Sequence, residues 1–458
     1  MQKAYAIKNW IFLLAGDLAI FIFSPYFAAL SLALVQINVE IHFRAAAVLV
    51  FAYLVSFYIF DLYDIHSRFT AGSYLARLLI AVAVGSSLTA MLSYLSVRYQ
   101  LPRTVFVLSV VINALFLYFW RIMYYSYFIP SRKTRNIVIV GAGRSGKTVY
   151  EMLSKSLSNG FRIVGFLDDN PEKVNKTIGP YVVLGTSRML TTLAKNVAVD
   201  IAVVAITKDK NAELLRSLLE TKSLGVQIYD MPSFYEELTG KLPVEYLRDG
   251  WIAYAPFQGM RKGMYTLRFK RLLDVFQSLA GLLVSLPLCA VAALATKLDS
   301  KGPVLFRQRR IGLNGRPFSL LKFRTMRVGT ERDRRFAGKK GDPRITRVGM
   351  ILRLLRVDEI PQMWNVLKGD MSFIGPRALI EEEVREFEQK IPYFSLRHCI
   401  RPGITGWAQV NFRHCVRVED SLERLRYDLF YIKNLSPLLD FHILMKTVKV
   451  VLFGKGAR

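Results

Sequence analysis

Four long apolar stretches, a strand, glycine turn and helix behind them, and two adjacent carboxylates set among arginines predict a chain in three parts. The fold class they imply is a membrane α-helical bundle joined to an α/β domain and then to a mostly α-helical α+β domain. The boundaries fall at residues 1–132, 133–250 and 268–458, with 251–267 as a linker. Composition agrees: of 458 residues 52% are hydrophobic, mean hydropathy is +0.27, and 63 Lys+Arg oppose 35 Asp+Glu for a formal net charge of +28. That combination suits a lipid bilayer, with the positive charge available to anionic headgroups and phosphorylated substrates. No nucleic-acid-binding motif is present, so no nucleic-acid partner is expected.

The apolar stretches cover residues 11–35, 45–60, 74–95 and 105–120. Most are long enough to cross a hydrocarbon core of about 30 Å when tilted or slightly extended. The first is too long for a cleavable signal sequence and lacks a small-residue cleavage site before the next span, so the chain is expected to stay anchored. Lys3 and Lys8 precede the first span, Arg68 and Arg77 lie between the second and third, and Arg121, Arg132, Lys133 and Arg135 follow the fourth. Such residues mark the cytoplasmic side, and they outnumber Arg44, Arg98 and Arg103 on the other. The N-terminus and everything beyond Arg121 are therefore expected in the cytoplasm. A fifth apolar stretch, residues 272–295, has Lys270 and Arg271 before it, Lys297 and Lys301 after it and Pro287 in its middle. Proline removes a helical hydrogen bond and kinks the axis. A re-entrant helix over 270–297 that enters the membrane, bends at Pro287 and returns satisfies the charge bias on both flanks.

The three cysteines, Cys289, Cys399 and Cys415, make no disulfide framework, and a reducing compartment fits. His398-Cys399 and His414-Cys415 offer four metal ligands on paper. Adjacent residues point in different directions, however, and no CxxC is present, so packing is expected rather than zinc.

In the middle region, Arg135-Asn136-Ile137-Val138-Ile139-Val140 reads as a buried strand, followed by Gly141-Ala142-Gly143-Arg144-Ser145-Gly146 and a helical run. Strand, glycine turn and helix form a phosphate cradle. Residues 141–148 also read GxxxxGKT, the P-loop string. A P-loop enzyme needs a later strand ending in a magnesium-binding acid, and the strand at 201–206 ends in Thr207. Asp168 and Asp169 instead follow a strand at 163–167, close to the ribose-binding acid of a dinucleotide fold. A Rossmann-like domain is expected, with Gly141, Gly143, Gly146 and Asp168 as its candidate nucleotide site. A degenerate domain with structural or regulatory duty is equally compatible.

Beyond the fifth apolar stretch, residues 302–312 and 318–326 alternate around turn residues and predict a hairpin. Arg307, Arg309 and Arg310 on it suit general headgroup binding as well as a phosphate site. Residues 342–349 and Arg353 then lead into Asp358-Glu359. A helix here puts Arg353 a little over one turn from the acids, near enough for electrostatic coupling. Neighbouring acids flanked by cations suit a site that holds Mg²⁺, exposes one carboxylate as nucleophile and neutralises transferred phosphate. Gly375-Pro376-Arg377 is a rigid turn presenting an arginine for bidentate phosphate binding. Asp370 is either a further acid or part of an ordinary Gly-Asp turn. The last apolar helix, 438–453, carries Lys446 and Lys449 and is expected on the bilayer surface, with a core helix as the competing account.

The run from Arg353 through Asp358-Glu359 and Gly369-Asp370-Met371-Ser372 to Gly375-Pro376-Arg377 resembles the catalytic signature of the bacterial polyprenyl-phosphate hexose-1-phosphate transferases. Lys322-Phe323-Arg324 ahead of it and Arg401-Pro402-Gly403-Ile404-Thr405-Gly406 behind it add to the match. The resemblance covers the chain from about Arg268 strongly, the middle domain moderately and the four spans by layout. It implies transfer of hexose-1-phosphate from a UDP-hexose to undecaprenyl phosphate, with release of UMP, as the first step of exopolysaccharide, capsule or O-antigen assembly. It also implies Asp358 as nucleophile and a covalent aspartyl-phosphosugar. Glu359 would serve the metal or proton handling, with Mg²⁺ on Asp358 and Glu359. Lys322, Arg324, Arg353, Arg377 and Arg401 are implied phosphate or nucleotide contacts, and the re-entrant helix is implied too.

The implied location is the bacterial inner membrane, with the catalytic domain on its cytoplasmic face. Glucose or galactose is favoured over N-acetylated sugars, and a homodimer is compatible. Two departures stand out. Family members often carry Ser-Pro at the helix bend where this chain has Leu286-Pro287, and Trp407 stands where leucine is common. Asp428 is expected to be structural. The rival readings are a membrane-bound nucleotide-sugar dehydratase and a membrane-tethered nucleotide-binding regulator. Against the first, no tyrosine of the middle region has lysine four places on.

Overall fold

The computed structural model describes residues 2–33, 43–63, 71–94, 102–128, 134–156, 160–197, 199–206, 212–261, 263–329, 342–412 and 418–452. It divides into two compact units: residues 1–135 with 156–162, and residues 136–155 with 163–458.

The first unit holds four apolar helices, α1 (Gln2–Ala33), α2 (Phe43–Ile59), α3 (Ala71–Tyr94) and α4 (Arg103–Phe128). They share a core that includes Phe21, Tyr53, Phe57, Leu78 and Leu117. Three of them contain apolar spans of 22, 20 and 24 residues, whereas the apolar part of α2, Ala46–Ile59, is shorter. The sequence reading treats Arg121 as a charge flanking the fourth span. In the structure α4 continues to Phe128, and Arg121 lies inside it, 1% exposed and paired with Asp17 at 2.6 Å. Its Nη1 donates to Leu62 O (3.0 Å). A buried arginine matched to a carboxylate packs helices together and carries no topological signal, so the charge bias beyond the fourth span rests on Arg135 and on Arg132 and Lys133. The last two, like Arg68 and Arg98, lie outside the described residues.

After the helices the chain forms a sheet built from β1 (Arg135–Val140), β2 (Phe161–Leu167), β3 (Thr177–Ile178), β4 (Tyr181–Gly185), β5 (Ile201–Val204) and β6 (Gln227–Asp230). Its order is β3-β4-β2-β1-β5-β6. Parallel pairing joins β2 to β4, β1 to β5 (Ile137↔Ile201) and β5 to β6, and β3 closes one edge antiparallel. Strands of this kind, covered on both faces, read as continuous apolar runs, and β5 is buried throughout. Helices α5 (Arg144–Ser156), α6 (Met189–Asn196), α7 (Ala212–Ser223) and α8 (Met231–Thr239) accompany the sheet.

Residues 242–257, which the sequence suggests straddle the end of this domain and a linker, instead enter the C-terminal core. Leu242, Val244, Leu247 and Phe257 pack there with Leu425, Leu429 and Ile432. Large apolar side chains find more to bury against in that core than a linker offers. The short helix α9 (Asp249–Tyr254) lies within this segment.

Helix α10 (Lys270–Asp299) follows. The break expected at Pro287 is not an interruption, because helical backbone continues through it. Ser285 Oγ donates to Leu282 O (3.4 Å), one place short of the Leu283 carbonyl that Pro287 leaves without its helical donor. One face of α10 is an exposed apolar stripe: Leu272, Phe276, Leu279, Leu283, Leu286, Val291, Leu294 and Leu298. Both ends are tied to the same domain. At the start, Lys270 pairs with Asp440 (2.6 Å), and Asp274 accepts from Ser372 Oγ (3.0 Å) and Phe373 N (2.8 Å). At the end, Asp299 accepts from Val348 N (3.0 Å).

An antiparallel hairpin, β7 (Leu305–Ile311) and β8 (Pro317–Phe323), comes next, turning at 313–315 with Asn314 at φ 53°. Then come α11 (Arg347–Leu354), a 3₁₀ turn at Val357–Glu359, α12 (Gln362–Lys368), β9 (Ser372–Ile374), α13 (Glu381–Lys390), β10 (Gly403–Thr405), α14 (Trp407–Asn411), α15 (Val418–Lys433) and α16 (Pro437–Leu452). β9 and β10 pair in parallel. Trp407 is a packing residue. Its Nε1 donates to Gly240 O (2.9 Å), and its ring stacks on Phe430.

Candidate active site

Three short elements converge on the adjacent acids. α11 ends at Leu354, and the chain reverses through Arg356, a non-glycine residue at φ 59°. A left-handed position after a helix ordinarily favours glycine, so an arginine there carries a conformational cost. The turn that follows buries Asp358, at 8% exposure, and directs Glu359 toward β8. There Lys322 Nζ meets Glu359 Oε1 at 3.1 Å, and Arg377 Nη2 approaches the same oxygen at 3.7 Å.

The two acids are in different states. Burial would raise the Glu359 carboxyl, but Lys322, Arg377 and Arg356 outweigh it and hold it at about 2. Asp358 is raised, by burial first and by the Glu359 charge in addition, against the pull of Lys322, Arg353 and Arg356. Its carboxylate makes no hydrogen bond or ion pair with any described residue. Burial lowers Lys322 in turn, with Glu359 opposing.

Neighbouring structure fixes these groups. Asn365, 2% exposed, accepts from Leu321 N (3.0 Å) and donates to Ser319 O (2.8 Å), which seats α12 on β8 beside Lys322. Arg377 rides on a turn locked backbone to backbone. Gly375 N donates to Thr405 O (2.8 Å), Gly403 N donates to Pro376 O (2.9 Å), and a Cβ on Gly403 would lie 2.0 Å from Gly375 N. Arg397 supports the same turn through Arg377 O (3.0 Å) while pairing with buried Asp428 (2.8 Å), which gives Asp428 a structural part.

A narrow, half-open cleft is lined by Arg310, Lys322, Gln362, Arg377 and Gly403, two of which, Lys322 and Arg377, also meet Glu359. Lys322 and Arg377 were expected at such a site. Arg353 stands near, its Nε on Thr325 Oγ1 (2.8 Å) and its charge felt by Asp358. Arg324 does not join them. β8 ends at Phe323, and Arg324 turns to the carbonyls of Lys301 (2.8 Å) and Ser300 (2.6 Å), capping α10. Unsatisfied carbonyls at a helix end attract such a cation. Arg401 is also off the cleft, its Nε on Gly369 O (3.0 Å) at the end of α12. Asp370 sits in the turn with Lys368 at 3.5 Å. Arg310 was expected only in company with Arg307 and Arg309, and Gln362 was not singled out from sequence. Strand alternation for the first and a four-residue spacing from Asp358 for the second are the signals that find them.

Among the described residues no group of three or more His, Cys, Asp or Glu side chains is placed to hold a metal. His398 is buried, its imidazole pushed down to about 4 by burial and by Arg397, and Cys399 is pushed up to about 11 by burial. His414 and Cys415 lie outside the described residues. In the middle region, Gly141 adopts φ +115°, and a Cβ on Gly146 would lie 1.9 Å from Gly141 O, so both positions require glycine; Gly143 has open space. Asp168 accepts from Ala142 N (2.7 Å), Asn170 N (3.0 Å) and Lys173 Nζ (3.0 Å). The Thr148 hydroxyl, which a P-loop directs to magnesium, is bonded to Tyr246 OH (2.8 Å).

Fold and site together describe a membrane-associated chain with a cationic cleft beside paired acids. Residues 265–454 match the family described as Bacterial sugar transferase, and residues 58–232 match a family described as CoA-binding domain. A UDP-glucose:undecaprenyl-phosphate glucose-1-phosphate transferase of Klebsiella pneumoniae is 33% identical over 334 residues, covering 70% of this chain and 69% of the relative. A relative of the same description in Escherichia coli K12 is 34% identical over 337 residues, again covering 70% and 69%. A UDP-N-acetylgalactosamine-undecaprenyl-phosphate N-acetylgalactosaminephosphotransferase of Aeromonas hydrophila is 37% identical over 259 residues, or 56% of this chain; the chain spans 60% of that relative's length. The chain belongs to the bacterial polyprenyl-phosphate hexose-1-phosphate transferase family.

Proposed function

We propose that the chain transfers hexose-1-phosphate from a UDP-sugar to undecaprenyl phosphate, starting a polysaccharide on its lipid carrier. The observation that carries this reading is the division of labour between the two acids: Glu359 is clamped by Lys322 and Arg377, while buried Asp358 makes no hydrogen bond or ion pair with any described residue. An Asp358 oxygen attacks the β-phosphorus, the bond to the bridging oxygen breaks, and UMP leaves with that electron pair. An oxygen of the lipid phosphate then attacks the same phosphorus, the acyl–phosphate bond breaks, and the Asp358 carboxylate is restored.

Attack of one anion on another is opposed electrostatically, and Lys322, Arg377 and Arg353 offset it. Two adjacent carboxylates, with no third ligand side chain grouped with them among the described residues, suit Mg²⁺, which takes one or two carboxylates plus substrate phosphate oxygens. Asp358 and Glu359 would hold the ion, whose contribution when bound is neutralisation of diphosphate charge.

The re-entrant reading of α10 is supported by its two ends being tied to one domain, since a helix crossing the bilayer would carry them to opposite sides. With basic flanks, both ends belong on the cytoplasmic face. The sheet order favours a Rossmann-like middle domain, and the occupied Asp168 favours a structural duty for it over nucleotide binding. The Aeromonas relative keeps N-acetylated sugars in play beside glucose and galactose. UMP release and lipid labelling by purified protein, run over a panel of UDP-sugars, test the activity. Absence of UMP release with every donor rejects it, and NAD-dependent dehydratase turnover favours the first rival.

A further inference from the structure

The hairpin separates three arginines that look alike in sequence. Side chains alternate along a strand, and paired residues of neighbouring strands share a face. In the observed register Phe306 pairs with Lys322, Gln308 with Leu320 and Arg310 with Phe318. Arg310 therefore stands on the face that carries Lys322. Arg307 and Arg309 stand on the other, where both are exposed and Arg309 pairs with Glu381 (3.3 Å).

The Arg310 guanidinium is held in place by the structure around it. Nε and Nη2 donate to Gln308 Oε1 (3.1 and 2.6 Å), and Nη1 donates to Ala378 O (3.0 Å). A guanidinium has five N–H groups, so two remain for the cleft it lines. Gln362, the first residue of α12 and four residues after Asp358, lines the same cleft. It is 4% exposed, and its amide has no hydrogen-bond partner among the described residues. Neither amide atom is sealed from solvent, so the group can donate into the cleft without first breaking an internal hydrogen bond. Charge points the same way: Arg310, Lys322 and Arg377 surround one cleft, and the only carboxylate paired with any of them among the described residues is Glu359. Burial and the Arg377 charge lower Arg310 to about 10, as expected of a cation lacking its anion.

We propose that Arg310 and Gln362 complete, with Lys322 and Arg377, a preformed cleft for phosphoryl oxygens beside Asp358, with Arg310 as a fixed cation and Gln362 as a neutral hydrogen-bond donor. The proposal rests on the phosphotransfer reading for its physiological ligand, which is either the diphosphate of the donor or the phosphate of the lipid acceptor. Its first test does not need turnover.

Full-length protein in nanodiscs is titrated with inorganic pyrophosphate, and the melting temperature is followed. Wild type is expected to rise, whereas Arg310→Gln and Gln362→Leu, each folded without ligand, are expected to lose affinity by roughly tenfold to a hundredfold. If Arg310→Gln does not fold, Gln362→Leu and Arg310→Lys decide. Steady-state kinetics then locate the source. A KM increase confined to the UDP-sugar assigns the cleft to the donor, and one confined to undecaprenyl phosphate assigns it to the acceptor. Folded variants with wild-type pyrophosphate affinity and both KM values intact overturn the proposal. Pyrophosphate binding that persists in wild type while every UDP-sugar fails as donor leaves the cleft standing and removes the transferase reading instead.

Discussion

Asp168, just past β2 in the middle domain, and Asp358, in the 3₁₀ turn of the C-terminal domain, are both carboxylates set between elements, and their surroundings are opposite. Asp168 accepts from two backbone N–H groups and a lysine. Asp358 is buried and accepts from no described residue. A carboxylate with a full set of donors is finished as structure. One that is buried without them raises the energy of the folded protein and is relieved only when something binds it or reacts with it. The glycine turn is thus self-satisfied, and the acid pair is open to chemistry.

The sharpest way to break this contrast is Asp358→Asn. A nucleophile replaced by an amide should cost at least roughly a thousandfold in UMP release, with no covalent sugar-phosphate adduct at the position. Because the substitution removes a desolvated charge, the melting temperature should hold or rise. Lost activity accompanied by unfolding would place Asp358 with Asp168 as a structural acid.

Glu359→Gln comes next. It leaves Lys322 and Arg377 without their anion, so activity should fall by roughly a hundredfold and stability by about 1–3 kcal/mol in denaturant titration. The two neighbours then differ in sign: one variant keeps the fold and loses the chemistry, and the other damages both.

Arg324→Ala sharpens the contrast from another side. The arginine caps α10, so its loss should lower stability by about 1–3 kcal/mol and leave the UDP-sugar KM within a few-fold. A large KM increase with an intact melting temperature would return Arg324 to the phosphate site.

This arginine also marks where reading the sequence ran short. Lys322 and Arg324 are two apart and share a face for as long as the strand lasts, but β8 ends between them and α10 presents free carbonyls to the second. No pattern within the motif records that third element. Arg121 misleads in the same way, since its partner Asp17 lies 104 residues away. The four apolar helices, the hairpin and the convergence of Lys322, Arg353 and Arg377 on the acids were legible because each follows from local periodicity or from charge near charge. Arg310 was half legible. Alternation separates it from Arg309, but its sharing a face with Lys322 needs the register, which the turn through Asn314 sets. The aromatic-rich segment at 251–257 carried the signal of a core, and its position between two domains hid it.

Asp168→Asn gives the smallest effect and closes the comparison. Burial pushes the Asp168 carboxyl up, but the N–H groups of Asn170 and Ala142 and the Lys173 ammonium hold it below the ordinary carboxylate range. A carboxyl lowered on folding adds stability above its unfolded pKa of about 3.9, and that stability is lost as pH falls through the lower folded value. Lys173 is 37% exposed and solvent screens the pair, so the difference between wild type and Asp168→Asn at pH 7 should be under about 1 kcal/mol. It should vanish in unfolding curves recorded at pH values below the lowered folded-state pKa, where the carboxyl is protonated in both states. A difference that persists there would mean that geometry, and not charge, holds the turn. Tight nucleotide binding that appears in Asp168→Asn would show that the carboxylate keeps the turn closed to a ligand the fold is still able to accept.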